Sequence, residues 1–270
     1  MEPHPDVPTA PGAREAADAL RARVEASSWY HTMELPGGVV TPGRWDTRGA
    51  LRHIDFPGSL SGRRCLDVGT WDGFWAYEME RRGAREVVAI DLDDVTEWDW
   101  PASATQLKRE RFQAVKSDAA PFWIAHEALG SRVERRACSV YELAPETVGM
   151  FDFAFIGSLL LHLRDPVRAL QALRSVVTGS IIAADQISIS LSVLQPTSAA
   201  AHLAARDEPH WWTPNAAALR RLVEAAGFHV VRRGRPYFLR PGPGAPRTLR
   251  ARLRVAGVFG APHTWVAARP

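Results

Sequence analysis

Cysteine is scarce: two residues, Cys65 and Cys138, in a chain of 270. Both fall in apolar runs, so they read as small buried hydrophobes rather than as a disulfide or a reactive thiol. No Cys/His spacing resembles a zinc site and no carboxylate cluster demands a cation, so no metal ligand is assigned. No apolar run approaches the roughly 18–20 residues that span a bilayer. The opening MEPHPDVPTAPGAREA places proline and acid where a secretory leader needs a basic and then an apolar stretch. A disulfide scaffold, a zinc module and a membrane span are thereby excluded. A cytoplasmic protein is expected, with Pro-rich residues 1–12 loosely held.

What is present is a globular composition, 46% hydrophobic and 23% charged. The net charge of +3 is small but uneven. Arg232, Arg233, Arg235, Arg240, Arg247, Arg250, Arg252 and Arg254 crowd the C-terminal part. Such a cluster is either a solvated face or an attractor for nucleic acid or an acidic substrate. Helical spacing marks residues 13–28; an aromatic, Gly- and Pro-rich loop or hairpin follows over 29–47, then a short helix over 51–56. From Arg64 onward, strands at 64–68, 86–90, 132–140, 151–156 and 179–185 alternate with helices at 72–82, 104–129 and 166–177. A helix at 214–226 precedes strands at 229–234 and 263–268, which lack a helix between them. Alternation of this kind predicts right-handed βαβ units and a parallel sheet, with one antiparallel strand at the end. The chain divides into an N-terminal extension and lid (1–56) and an α/β domain (57–270) carrying a substrate cap around 186–213.

The run CLDVGTWDGFWAYEMERRGAREVVAIDLDD carries the main functional signal. It reads strand, glycine turn, helix, strand, with Asp91 closing the second strand. Ligands of open α/β sheets bind beyond the carboxyl ends of the strands. Gly69 lets the backbone turn there without a Cβ in the way, and Gly73 opens the helix at close range. A carboxylate at Asp91 suits the two hydroxyls of a ribose. The dinucleotide fingerprint G-x-G-x-x-G is absent; G-T-W-D-G, with Asp67 just before it, is a poor cradle for pyrophosphate and suits a cationic cosubstrate. Separately, Asp67 has a reading as a turn cap and Asp72 as the first-turn acid of the helix.

These residues resemble the class I S-adenosylmethionine-dependent methyltransferases, over about residues 60–270. LDVGTWDG is similar to their first motif and AIDLDD to the acidic end of their second strand. ACSVYEL (137–143) resembles the segment beside adenine, and FDFAFIGSLLLHLRDPVRAL (151–170) the fourth strand and its helix. The resemblance implies a Rossmann-like seven-stranded, mostly parallel sheet in the order 3-2-1-4-5-7-6, the last strand antiparallel, flanked by helices. It implies S-adenosylmethionine as cofactor, held by Asp67, Gly69, Thr70, Trp71, Gly73, Asp91, Leu92, Ser139, Val140, Tyr141, Ile156 and Gly157. A narrower likeness, through WYHTMELPGGVVTPG and GSLLLHLRDP, is to the branch with the tRNA wobble-uridine carboxymethyltransferase and many small-molecule methyltransferases. Where the tRNA enzyme has a Tyr before the His of the fourth-strand motif, this chain has Leu161, which favours plain methyl transfer.

Methyl transfer to oxygen or nitrogen needs alignment and a proton acceptor. His162, at the rim after the fourth strand, is the leading candidate base, with His31 and His210 behind it. His162 also has a purely structural reading within LHLRDP. Trp29, Tyr30 and His31 form a candidate lid whose rings suit a sulfonium, or they merely dock the N-terminal helix. Trp211 and Trp212 either stack on an acceptor or pin the cap. The expected activity is transfer of a methyl group to O or N of a small-molecule acceptor. The alternative is an RNA-modifying enzyme of the wobble-uridine methyl- or carboxymethyltransferase type, with nucleic acid as partner.

Overall fold

The computed structural model describes residues 11–116, 119–206, 208–246 and 260–270. Arg247, Arg250, Arg252 and Arg254 of the basic cluster, and residues 1–10, lie outside the described residues. The N-terminal part holds α1 (Pro11–Glu25), β1 (Glu34–Leu35), β2 (Val39–Val40) and β3 (Trp45–Asp46). Then come β4 (Arg64–Val68), α2 (Phe74–Arg81), β5 (Glu86–Asp91), α3 (Gln106–Lys116), α4 (Ala120–Leu129) and β6 (Glu134–Ala137). They are followed by α5 (Pro145–Val148), β7 (Phe151–Gly157), α6 (Pro166–Ser175), β8 (Val177–Gln186) and α7 (Ile189–Leu194). The remainder is β9 (Ala201–Leu203), β10 (Trp212–Pro214), α8 (Ala216–Ala225), β11 (His229–Arg233), β12 (Tyr237–Pro241) and β13 (Ala261–Arg269).

Strands β6, β5, β4, β7 and β8 lie side by side and parallel. The apolar stretches of β4, β5, β7 and β8 suit a sheet covered on both faces, whereas β6 (ERRA) is charged and partly exposed. Successive side chains divide between two cores: Leu66, Val68, Ile90 and Ile156 face one, Cys65, Val87, Phe153 and Phe155 the other. The chain walks from β4 outward to β5 and β6, then returns to the other side of β4 with β7, so the strand order switches between β4 and β7. That is where such sheets open a crevice. β13 runs antiparallel to β8, and β11 and β12 share its far edge in succession.

Among the described residues the large sheet has nine strands, two more than the seven expected. β12 lies between the strands expected at 229–234 and 263–268, where no element was assigned, and flanking Pro and Gly hid the alternation of buried and exposed positions in Tyr237–Pro241. β3, two residues long, pairs with β12, so part of the N-terminal extension belongs to the main sheet. The helix expected over 104–129 is two helices: Ala119 takes left-handed φ 61° and Pro121, lacking an N–H, starts a new helix. Elsewhere local chemistry sets the ends. Asp165 caps α6 by accepting from Arg168 N, with Pro166 at its first position. Asn215 caps α8 by accepting from Ala218 N. Among the described residues, no helix is long and apolar enough to cross a membrane.

Candidate active site

A cavity of about 850 Å³ opens at the carboxyl ends of the parallel strands. Its first half is built by the turn after β4. Gly69 and Thr70 donate their N–H groups to Ile90 O at 2.9 and 3.1 Å, which folds the turn over β5. Gly69 has φ 78°, and a Cβ there would meet Leu159 Cδ2 at 3.1 Å. Trp71, itself at φ 52°, donates its N–H to Asp91 Oδ2 at 2.7 Å, while Leu92 N–H reaches Asp91 Oδ1 at 2.8 Å.

The Asp91 carboxylate is also paired with Lys116 Nζ at 2.7 Å. That lysine side chain is 1% exposed, with Nζ 4.5 Å from the Trp71 ring centre and 5.9 Å from that of Trp98. Sequence reasoning missed Lys116, because it sits at the end of α3 inside what read as one continuous helix. Ser139, Val140 and Tyr141 line the wall beyond Asp91, Tyr141 Oη donating to Asp99 Oδ2 at 2.6 Å. Cys138 lines it too, half-buried rather than buried, its thiol pushed up by burial and so held unreactive.

Four expected cofactor residues stand behind the wall rather than on it. Asp67 is buried under the turn, and burial pushes its carboxyl up to about 7 although the Thr70 hydroxyl pulls the other way. Thr70 and Ile156 are buried with it. Gly73 answers a packing need: a Cβ there would meet Tyr77 Cε2 at 2.4 Å.

The second half of the cavity is roofed by the N-terminal segment. Asp72, fully buried, accepts Tyr30 N and His31 N on Oδ2 at 2.8 Å each and His31 Nδ1 on Oδ1 at 2.5 Å. The aspartate read as a helix-dipole acid is thus the staple that closes the roof. Trp29, Tyr30 and His31 all line the cavity, and the His31 ring lies 5.4 Å from Phe74 in a stacked arrangement. Burial pushes the Tyr30 phenol up to about 12.

His162 lines the same half and gives its Nδ1–H to Pro209 O. Burial lowers its pKa to about 4, the Pro209 carbonyl opposing and the His210 and Arg44 charges adding to the fall. It is neutral at ordinary pH, with Nε2 as the accepting nitrogen. His210 also lines the cavity, its Nε2 3.0 Å from Thr213 Oγ1 and its pKa lowered by burial. Trp211 and Trp212 do not line the cavity. Trp211 Nε1 donates to Asp99 O at 2.6 Å and its N–H to Leu161 O at 2.7 Å, while Trp212 Nε1 donates to Arg164 O at 3.3 Å. They pin the cap, because each indole N–H requires an acceptor that the underlying loops supply. Ser158, Gln186, His263 and Arg44 complete this half and were not singled out by the sequence.

Residues 46–233 match the methyltransferase domain family. The chain belongs to that family. S-adenosylmethionine is the methyl donor such a domain uses. Over 155 residues the chain is 29% identical to the ubiquinone biosynthesis O-methyltransferase of Acinetobacter baylyi, covering 56% of this chain and 53% of that one. Over 232 residues it is 28% identical to the tRNA U34 carboxymethyltransferase of Idiomarina loihiensis, covering 81% of this chain and 64% of that one. The chain spans about half the length of several curated relatives it matches. The N-terminal domain of EvdMO1, solved with S-adenosylhomocysteine and D-fucose, superposes with TM-score 0.57 at 18% identity, over 97% of this chain and 99% of that one. The [4+2]-cyclase SpnF superposes with TM-score 0.52 at 15% identity, over 96% and 95%. At such identities these likenesses establish the fold alone.

Proposed function

We propose that this methyltransferase domain moves a methyl group from S-adenosylmethionine to an oxygen or nitrogen atom of a small molecule. The observation that carries the reading is the two-part cavity: one half formed by the glycine turn and Asp91, the other roofed by Tyr30 and His31. A concave, mostly apolar pocket with a few convergent polar groups suits a small acceptor.

The donor set of the first half fits the nucleoside. Asp91 would take the ribose hydroxyls in exchange for Lys116, Gly69 leaves room for close backbone approach, and Leu92, Ser139, Val140 and Tyr141 would flank the adenine. Trp71 and Tyr30 put aromatic faces near the sulfonium, which such rings attract. The bound donor supplies an electrophilic methyl group. The chain's own residues align the acceptor, exclude water and take a proton. His31 is the acceptor nitrogen this geometry favours, because Asp72 holds Nδ1 and leaves Nε2 to accept, the logic of a base oriented by a carboxylate. His162, neutral and held by Pro209, is the second; His210 is spent on Thr213.

The tRNA-modifying alternative draws on the relative that covers most of the chain, yet Leu161 stands where that enzyme has tyrosine. Calorimetry with S-adenosylmethionine and S-adenosylhomocysteine, followed by methyl-transfer assays on phenols, amines and sugars beside unmodified tRNA, tests the proposal. Micromolar cofactor binding with turnover of a small acceptor supports it. Turnover of tRNA alone, with steep salt dependence, replaces it by the RNA reading.

A further inference from the structure

The second half of the cavity carries a pair of side chains, Ser158 and His263, to which the proposed function gives no role. Ser158 follows the last residue of β7 with φ 51°, a left-handed backbone rare outside glycine. Its N–H donates to Ala184 O at 2.8 Å, which fixes that conformation and turns the hydroxyl onto the cavity wall. Strained residues persist where surroundings over-determine them, and they gather at functional sites.

Behind Ser158 stands His263, at the start of β13. Because β13 is antiparallel to β8, its first residues lie at the same rim as the carboxyl ends of the parallel strands. His263 is 3% exposed. Its Nδ1 lies 2.9 Å from Ala261 O and its Nε2 3.1 Å from Ser158 Oγ. A carbonyl only accepts, so Nδ1 carries the ring proton and Nε2 is the acceptor. Ser158 must therefore give its single hydroxyl hydrogen to Nε2. What Ser158 shows to the cavity is lone pairs. The Tyr30 phenol lies beside Ser158, and burial keeps it protonated. Burial also lowers His263 to about 4, so the polarity of the pair does not reverse at any ordinary pH.

We propose that Ser158, locked by His263, is a specificity residue: it accepts a hydrogen bond from an O–H or N–H group of the molecule to be methylated and disfavours groups that cannot donate. The assignment rests on the small-molecule reading above and deepens it. The acceptor class becomes one bearing a donor hydrogen at this wall.

Two measurements test this. Imidazole ¹⁵N spectra of the protein, with His263→Gln identifying the signal, should show His263 as the neutral Nδ1–H tautomer from mildly acidic to mildly alkaline pH. The Nε2–H tautomer would overturn the assignment, because Ser158 would then be free to donate. In the protein saturated with S-adenosylhomocysteine, phenol should bind roughly 5–100-fold more tightly than fluorobenzene, which fills similar space without a donor. In Ser158→Ala, or Ser158→Gly, which the left-handed backbone accommodates, that ratio should fall to about 1–3. A ratio unchanged in both variants overturns this assignment alone. Absence of binding by both probes to the wild type overturns the small-acceptor reading and this assignment with it.

Discussion

The two halves of the cavity are assembled in opposite ways. The half proposed for the cofactor is nearly contiguous in sequence: Gly69, Trp71, Asp91 and Leu92 come from one βαβ unit, with Ser139–Tyr141 added from the next strand end. The half proposed for the acceptor draws Tyr30 and His31 from the N-terminal segment, Ser158 and His162 from beyond β7, Pro209 from the segment before β10 and His263 from the last strand. One half is a local motif, the other a meeting of distant segments. A motif can be read along the chain, whereas a meeting point requires the sheet order.

Substitutions separate the halves, beginning with the largest effect. His31→Gln keeps a polar side chain but loses the accepting ring nitrogen, and turnover should fall by roughly 10²–10⁴ with S-adenosylhomocysteine affinity unchanged. A wild-type rate would pass the role to His162, for which the same substitution provides the control. Asp91→Ala should act on the other half alone. Each charge-assisted hydrogen bond lost is worth about 1.5–3 kcal/mol, so calorimetry should show cofactor affinity reduced by roughly 10–100-fold. Undiminished affinity would show that Lys116 never yields the carboxylate to a ribose.

Asp72→Asn tests the seam between the halves. Three hydrogen bonds converge on this buried carboxylate, and the amide can accept with only one of its two terminal atoms. A loss of about 1–3 kcal/mol in stability is expected, with faster amide exchange at Tyr30 and His31. Exchange that stays slow would mean the roof is held by its aromatic packing instead.

A pH series tests Asp67, whose carboxyl sits near 7 in the fold against an ordinary value of about 3.8. A raised carboxyl binds its proton more tightly in the folded state. The stability it adds is complete at low pH and declines as pH rises from about 4 to about 7. Asp67→Asn should flatten that decline in a series of melting temperatures, its stability relative to wild type improving toward neutral pH. Parallel curves would show that Asp67 is not the group responsible.

Strand periodicity and the glycine turn placed the parallel sheet and the ligand rim, since both arise from spacing within some thirty residues. Asp91 was legible for the same reason. Lys116 was not, because helical spacing across residues 104–129 concealed the break at Ala119. His263 read as an ordinary strand residue; only the reversed direction of β13 brings it to the rim. Asp67, Thr70 and Gly73 belong to the turn but stand behind the cavity wall, which spacing along the motif does not reveal. Trp211 and Trp212 left two readings open in the sequence, because the carbonyls that take their indole N–H groups, Asp99 O and Arg164 O, come from distant loops.

Asp72 belongs to the cofactor turn by sequence and to the acceptor roof by its hydrogen bonds. One carboxylate therefore makes the two sites parts of a single equilibrium. Whatever factor by which a bound nucleoside tightens the hold on an acceptor, the acceptor must return to the nucleoside. A turn ordered first by one ligand also lowers the entropy lost in ordering the roof over the second.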